Sequence, residues 1–354
     1  MVKILLISNM YPSRENPYYG TFVANFVKEF SNGGIILNKV VITKKNSKIK
    51  KLISYFIYTF ECFWKVLFTK YDLIYVHYIN HSLIPFILLK FFIRKPFIIN
   101  AHGGDVFYES KVAKFIALYT SKVIPYATKI VVPSNYFKKE LINRFKLKED
   151  MIFISPSGGI NLEIFKPRVQ SVVLPLKIGY LGRIDLNKGW DTFIEAIAKL
   201  RNENIEIHIG GDGKEYFLLK ELIKSYDLSS IVKLYGYIDH VKINQFFRLI
   251  DVLVFPSRRN GESLGLVPIE ALASGVPVIA NDNGAVNDFI LNKKNGFLYY
   301  NDNSEDLKNR LFDFQKLSIK EKLEMSKSAT ESVQKYDSKL ISEKLKYFIL
   351  NIKE

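Results

Sequence analysis

Twice along this chain, short runs of β-branched and other apolar residues alternate with longer amphipathic stretches, and the second round starts only after a proline-bracketed break. Parallel strands cannot be joined by tight turns and need crossovers of a dozen or more residues. The alternation therefore restricts the fold to α/β, with parallel sheets covered by helices. In the first half the spacing predicts strands over 2–8, 38–43, 73–77, 96–100, 129–132 and 151–154, with helices over 21–31, 52–68, 81–92, 111–124 and 135–145. The second half repeats the pattern, with strands near 176–181, 205–210, 231–235, 251–255 and 277–280. Between them KPRVQSVVLP, residues 166–175, lacks a helical period and reads as a linker. Two Rossmann-like domains follow, 1–170 and 171–335, and 354 residues suffice for two cores. The last stretch, 336–354, carries Leu340, Ile341, Leu345, Phe348 and Ile349 at helical spacing. It needs an apolar partner and is expected to join the first domain.

Charge is divided unequally between the halves. Residues 1–170 hold 25 Lys+Arg against 10 Asp+Glu, or +15, whereas residues 171–354 hold 26 against 25, or +1. The surplus implies an anionic partner for the first half. KKNSKIKK at 44–51, followed by LISYFIYTFECFWKVLF at 52–68, has the character of an amphipathic interfacial helix with a cationic approach, which favours a membrane surface over nucleic acid. A crossover helix with solvated lysines is the plainer alternative. The apolar stretch is shorter than a membrane span and contains Glu61 and Lys65. The amino terminus lacks the basic flank and cleavage site of a signal peptide. The single cysteine, Cys62, forms no internal disulfide, and His77, His81, His208 and His240 have no metal-binding spacing. A cytoplasmic protein, peripheral on the inner face of the cell membrane, is expected.

Chemistry concentrates where strands end. After the strand DVLVFPS comes GESLGLVPIEALASGVPVIA, residues 261–280. Pro268 is tolerated only in the first turn of a helix, so a helix must begin between Gly265 and Val267 and leave its first amides free, an arrangement that suits a diphosphate. Glu262 and Glu270 are separated by at most about 12 Å if all between is helical. After the strand LKIGYL comes GRIDLNKGW, 182–190, which places Gly182, Arg183 and Lys188 in one loop. In the first half AHGGDVF, 101–107, follows the strand PFIIN, and NPYYGTFV, 16–23, sets Gly20 at the start of the first helix. VPSNY at 132–136, SPSGGIN at 155–161 and IGGDGK at 209–214 are weaker loop signals. The last is not G-x-G-x-x-G, which argues against dinucleotide binding.

These segments together resemble glycosyltransferase family four, a retaining family of GT-B fold with two Rossmann-like domains facing a cleft. Its signature is a pair of glutamates separated by seven residues, ahead of an Ala-rich helix and a Gly-x-Pro-Val-Ile strand. The resemblance implies that Glu270 binds the nucleotide ribose, Glu262 the donor sugar hydroxyls, and the backbone of Gly265 and Leu266 the phosphates. Gly182, Arg183 and Lys188 resemble the family's Gly-Arg…Lys-Gly element, in which both cations converge on the diphosphate and offset the charge of the leaving group. His102 would touch the donor sugar from the opposite domain, Asp105 would orient His102 or the acceptor, and the Gly20 loop would lie near the phosphates and acceptor. Two departures stand out: Leu264, where Phe is common, and Tyr19 before Gly20, where paired glycines are common.

The implied activity is transfer of a hexose from a UDP- or GDP-sugar, with no other cofactor and no metal ion, to a sugar or lipid-linked sugar in bacterial surface-polysaccharide assembly. Rival readings are another GT-B enzyme, such as a sugar-nucleotide epimerase or a phosphorylase, and a non-catalytic membrane- or polyanion-binding protein.

Overall fold

The computed structural model describes residues 1–31, 34–108, 110–167 and 174–352. Its contacts divide the chain into two compact units, Met1–Gly158 with Leu340–Glu354, and Gly159–Lys339.

The first unit is built on six parallel strands, β1 (Val2–Tyr11), β2 (Ile35–Thr43), β3 (Leu73–His77), β4 (Phe97–Asn100), β5 (Lys129–Val132) and β6 (Ile152–Ile154), in the order β2-β1-β3-β4-β5-β6. Between them run α1 (Thr21–Phe30), α2 (Lys48–Phe68), α3 (Phe86–Leu89), α4 (Lys111–Thr120) and α5 (Asn135–Phe145). Alternate residues of a strand face opposite sides, and β1 uses both. Leu5 and Ile7 enter a core with Tyr58, Cys62 and Val66 of α2, Phe86 and Leu89 of α3, and Phe137 and Leu141 of α5. Ile4 and Leu6 enter a second core with Val23, Phe26 and Phe30 of α1.

The second unit carries β7 (Leu176–Leu181), β8 (Ile205–Gly210), β9 (Val232–Gly236), β10 (Val252–Phe255), β11 (Val278–Asn281) and β12 (Gly296–Tyr299), all parallel, in the order β12-β11-β10-β7-β8-β9. Its helices are α6 (Trp190–Ala198), α7 (Tyr216–Ser225), α8 (Ile243–Phe247), α9 (Leu266–Ala273), α10 (Ser304–Lys316) and α11 (Ile319–Ser332), and the chain ends in α12 (Ser338–Leu350). Ile341, Leu345 and Ile349 of α12 are buried, and Leu345 and Ile349 join the core containing Ile4 and Leu6. Phe348 stacks on Phe153 at 4.0 Å.

Three expectations need correction. The units divide at Gly158 and Gly159, ahead of the proline-bracketed segment, because residues after Gly159 are already tied to the second unit: the Ile160 amide donates to the Tyr336 carbonyl at 2.9 Å and Phe165 is buried. The middle of the expected linker, 168–173, lies outside the described residues. The helices expected over 81–92 and 111–124 each break. His81–Leu83 forms a 3₁₀ turn ahead of α3, and Ser121–Tyr126 a 3₁₀ turn after α4. Pro85 and Pro125 have no N–H to offer a continuing α-helical ladder. The strand β12 was not anticipated, since Gly296–Tyr299 is only four residues of GFLY.

Candidate active site

In the second sheet the chain winds one way through β7, β8 and β9 and the other way through β10, β11 and β12, so the order reverses between β7 and β10. Such reversals open a crevice at the carboxyl ends of the strands. A cavity of about 240 Å³ lies there, lined by Leu181, Gly182, Lys188, Phe255, Glu262, Gly265 and Leu266 among others. The local sequence explains the opening. Gly265 caps α9 in the left-handed region at φ 75°, and an added Cβ would come within 3.1 Å of the Pro268 ring. Pro268 sits in the first turn, as expected, and the leading amides of α9 have no acceptor within the helix.

Charge in this cavity is paired. Lys188 Nζ donates to Glu262 Oε2 at 2.6 Å, and the Ser257 hydroxyl donates to the same oxygen at 3.0 Å. Burial alone would raise the Glu262 carboxyl, but Lys188, Arg259 and Ser257 together hold it below its ordinary range. Glu262 therefore stays anionic and Lys188 is held in place. Glu270 is buried within α9, and its Oε1 lies 3.1 Å from Nε2 of the exposed His240, whose pKa is raised by that hydrogen bond.

Arg183 does not converge with Lys188 in this structure. Its side chain is 65% exposed and pairs with Asp185 at 3.3 Å. The physical reason is local: Ile184 is fully buried and fixes the loop, while Asp185 offers a nearby anion. Surface ion pairs of this kind are worth about 0–1 kcal/mol, so an arriving diphosphate could redirect the guanidinium at little cost. Leu264, the departure from the family's Phe, is buried.

In the first unit the expected residues of the 101–107 loop are tied inward. Asp105 is fully buried, accepting from the Ile79 amide at 2.8 Å and the His102 amide at 2.9 Å. It thus positions His102 through the main chain, while burial raises its own carboxyl to about 6. His102 Nε2 lies 2.9 Å from His77 Nδ1, and Phe22 packs 4.1 Å from the His102 ring. Burial drives His102 down to about 3 and His77 well below its ordinary value, so both imidazoles are neutral near pH 7. Gly20 has φ 73°, and a Cβ there would strike the backbone of Met10 and Tyr11 at 2.7 to 2.8 Å, which requires glycine where α1 meets the end of β1. Ser134 of the VPSNY segment accepts from the Phe137 amide at 3.3 Å and caps α5.

Sequence reasoning missed Ser257, His240, His77 and Arg258. Ser257 shares a loop with Glu262 and could have been proposed from that alone. His240 stands 30 positions from Glu270, and no local pattern links them. His77 ends β3, where it reads as one more core position. Arg258 pins the loop after β10 to its neighbours, donating to Asp191 at 2.9 Å and to Asp302. Among the described residues no group of three or more His, Cys, Asp or Glu could hold a metal ion. No helix among them is long and apolar enough to cross a membrane.

Comparison with known proteins agrees with this fold. The model of the glycosyl transferases group 1 matches residues 164–332, and that of glycosyltransferase family 4 matches residues 25–162. An uncharacterized glycosyltransferase of Methanocaldococcus jannaschii is 28% identical over 276 residues, spanning 77% of this chain and 72% of the relative. An uncharacterized 41.2 kDa protein in the cps region of Klebsiella pneumoniae is 26% identical over 277 residues, spanning 73% of each. The crystal structure of HepE from Anabaena in complex with UDP superposes with a TM-score of 0.77 at 16% identity, covering 99% of this chain and 100% of that one. With two doubly wound parallel sheets, matches to both family models and relatives of this kind, the chain belongs to the family-four, group 1 glycosyltransferases of GT-B fold.

Proposed function

We propose that this glycosyltransferase moves a hexose, with retention of anomeric configuration, from a UDP- or GDP-sugar to a sugar or lipid-linked sugar acceptor in surface-polysaccharide assembly. The observation that carries the donor reading is the cavity at the ends of β7 and β10, where Lys188, Glu262 and the leading amides of α9 meet. Lys188 and the Gly265–Leu266 backbone would hold the diphosphate, with Arg183 swinging from Asp185 to join them. Glu262, held as an anion, would accept donor sugar hydroxyls, and Glu270 the ribose hydroxyls. Gly182 would let the loop backbone approach the phosphates. On the first unit, His102 would offer a neutral imidazole to a hydroxyl, since its depressed pKa suits hydrogen bonding rather than charge neutralisation.

In a front-face reaction the bond from the anomeric carbon to the diphosphate oxygen breaks as the acceptor oxygen bonds to the same face. The acceptor proton then passes to the departing diphosphate, so no protein nucleophile is needed. The cations on this chain would take the role a metal ion plays elsewhere, and turnover should survive EDTA.

A relative in a cps region supports the polysaccharide reading. The exposed apolar side chains of α2, together with Lys44, Lys45, Lys48, Lys50 and Lys51, support peripheral attachment to an anionic membrane. HepE binds UDP and, in a further structure, UDP-glucose, which supports a uridine nucleotide as the first donor to test. NMR of the first-formed product decides the stereochemistry: an α-linkage is expected from an α-linked donor, and a β-linkage would refute retention.

A further inference from the structure

The first unit has its own reversal of strand order, at β1, which lies between β2 and β3. A cavity of about 360 Å³ opens at the carboxyl ends of these strands. That size is within the roughly 300–1,000 Å³ of small-ligand sites. Asn9 and Met10 come from β1, Ile42 and Thr43 from β2, and Tyr78 and His81 from just beyond β3. The next residues after β2 add Lys44 and Lys45, and the first turns of α2 add Lys51 and Tyr55.

Its chemistry differs from that of the donor cavity. Three lysines line it and no carboxylate does. Among the described residues the ammonium groups of Lys44, Lys45 and Lys51 have no ion-pair partner. His81 lines the same opening, and burial together with nearby Lys51 lowers its pKa, leaving the ring neutral and able to donate through one nitrogen. The Tyr55 hydroxyl accepts from Asn9 Nδ2 at 3.1 Å, which fixes one wall. Uncompensated ammonium groups and a neutral imidazole around one cavity are the complement of a multiply charged oxyanion.

Directly beyond the cavity, α2 turns an apolar face outward: Leu52, Phe56, Phe60 and Trp64 are 55–75% exposed at four-residue spacing, whereas Tyr58, Cys62 and Val66 face the core. Isolated exposed apolar residues are ordinary, but a stripe along a whole helix marks an interaction site.

We propose that this cavity binds the phosphate or diphosphate group of the acceptor, with Lys44, Lys45 and Lys51 as its counter-charges and His81 as a further donor. The inference rests on the glycosyltransferase reading and adds the substrate class, a phosphate-bearing acceptor. An apolar chain attached to that phosphate would run onto the exposed stripe of α2.

The test uses the full chain saturated with UDP, so that a diphosphate probe cannot report on the donor cavity. UDP binding is measured first and separately. Its failure would count against the donor reading and leave this one standing, in which case the probes are titrated directly. Farnesyl diphosphate, farnesol and inorganic pyrophosphate are then titrated into the wild type and into the K44Q/K45Q/K51Q variant by calorimetry. Farnesyl diphosphate should bind the wild type and lose at least about tenfold in affinity in the variant, whose UDP affinity should not change. Tighter binding of farnesyl diphosphate than of pyrophosphate identifies a lipid-linked source, and equal binding identifies the free anion. Equal affinity of wild type and variant for farnesyl diphosphate, no binding by the wild type, or farnesol binding as well as its diphosphate would each overturn the assignment.

Discussion

The two units end the same kind of sheet in cavities of opposite electrostatic character. At β7 and β10, Lys188 is bonded to Glu262, and Glu270 to His240. At β1 and β2, among the described residues, Lys44, Lys45 and Lys51 have no ion-pair partner around the opening. A paired cation is held in position before substrate arrives, at the cost of releasing its partner or sharing it. An unpaired cation gives stronger long-range attraction but no fixed geometry. The cavity of the second unit is thus suited to stabilising charge that develops at one place, and that of the first to capturing an anion that arrives already charged. The imbalance of +15 against +1 between the halves is the same distinction on a larger scale.

The comparison breaks most sharply at Lys188. Lys188→Ala should lower turnover by roughly 10²–10³-fold, the effect of removing one positioned electrostatic group. It also leaves Glu262 without its cation, so the purified variant must be shown to be folded by circular dichroism. Arg183→Ala should cost about tenfold less than Lys188→Ala, because Arg183 is exposed and must be recruited. Equal losses in the two variants would mean that the guanidinium is already in place.

On the basic side, changing Lys44, Lys45, Lys48, Lys50 and Lys51 to glutamine should weaken sedimentation with anionic vesicles by roughly a hundredfold or more at low salt. Each lysine near such a surface contributes on the order of 1 kcal/mol, screened as ionic strength rises. A wild type that ignores anionic vesicles would end the membrane reading without touching the donor site.

A smaller effect is expected at Glu270→Gln, on the order of tenfold in nucleotide affinity, because a neutral amide keeps one acceptor but loses charge-assisted bonding. The same variant should return His240 toward its ordinary pKa, since the Glu270 hydrogen bond is the main cause of its rise. Proton NMR titration of the His240 ring reports this directly. An unchanged titration would mean that the two side chains do not meet in solution.

The smallest effect is on stability against pH. The folded first unit keeps His77 and His102 neutral, whereas the unfolded chain protonates them below about 6.5. Their contribution is complete above that value and is lost as pH falls toward the His102 value of about 3. Asp105, raised to about 6, acts in the opposite sense between about 4 and 6, where the folded state binds the extra proton. Two imidazoles against one carboxylate leave a net loss on acidification, on the order of 1 kcal/mol per pH unit. Urea midpoints between pH 6.5 and 5 should therefore fall, and the slope should be shallower in His102→Gln. Parallel slopes in the two proteins would show that the histidine pair is not responsible.

The sequence by itself determined the alternation of strands and helices and the start of α9 at Gly265, because each rests on local rules: period, the missing N–H of Pro268, and turn-forming glycine. It also carried the charge asymmetry, which is a property of composition. Tertiary structure alone decided which charges meet. Lys188 pairs with Glu262 across 74 positions and His240 with Glu270 across 30, while Arg183 turns away to Asp185. It also decided that Asp105 serves main-chain amides and that His77 backs His102. α2 likewise covers its sheet with one stripe and leaves another bare. Such pairings depend on strand order and on how adjacent loops stack, and neither is encoded in the spacing of residues along any one segment.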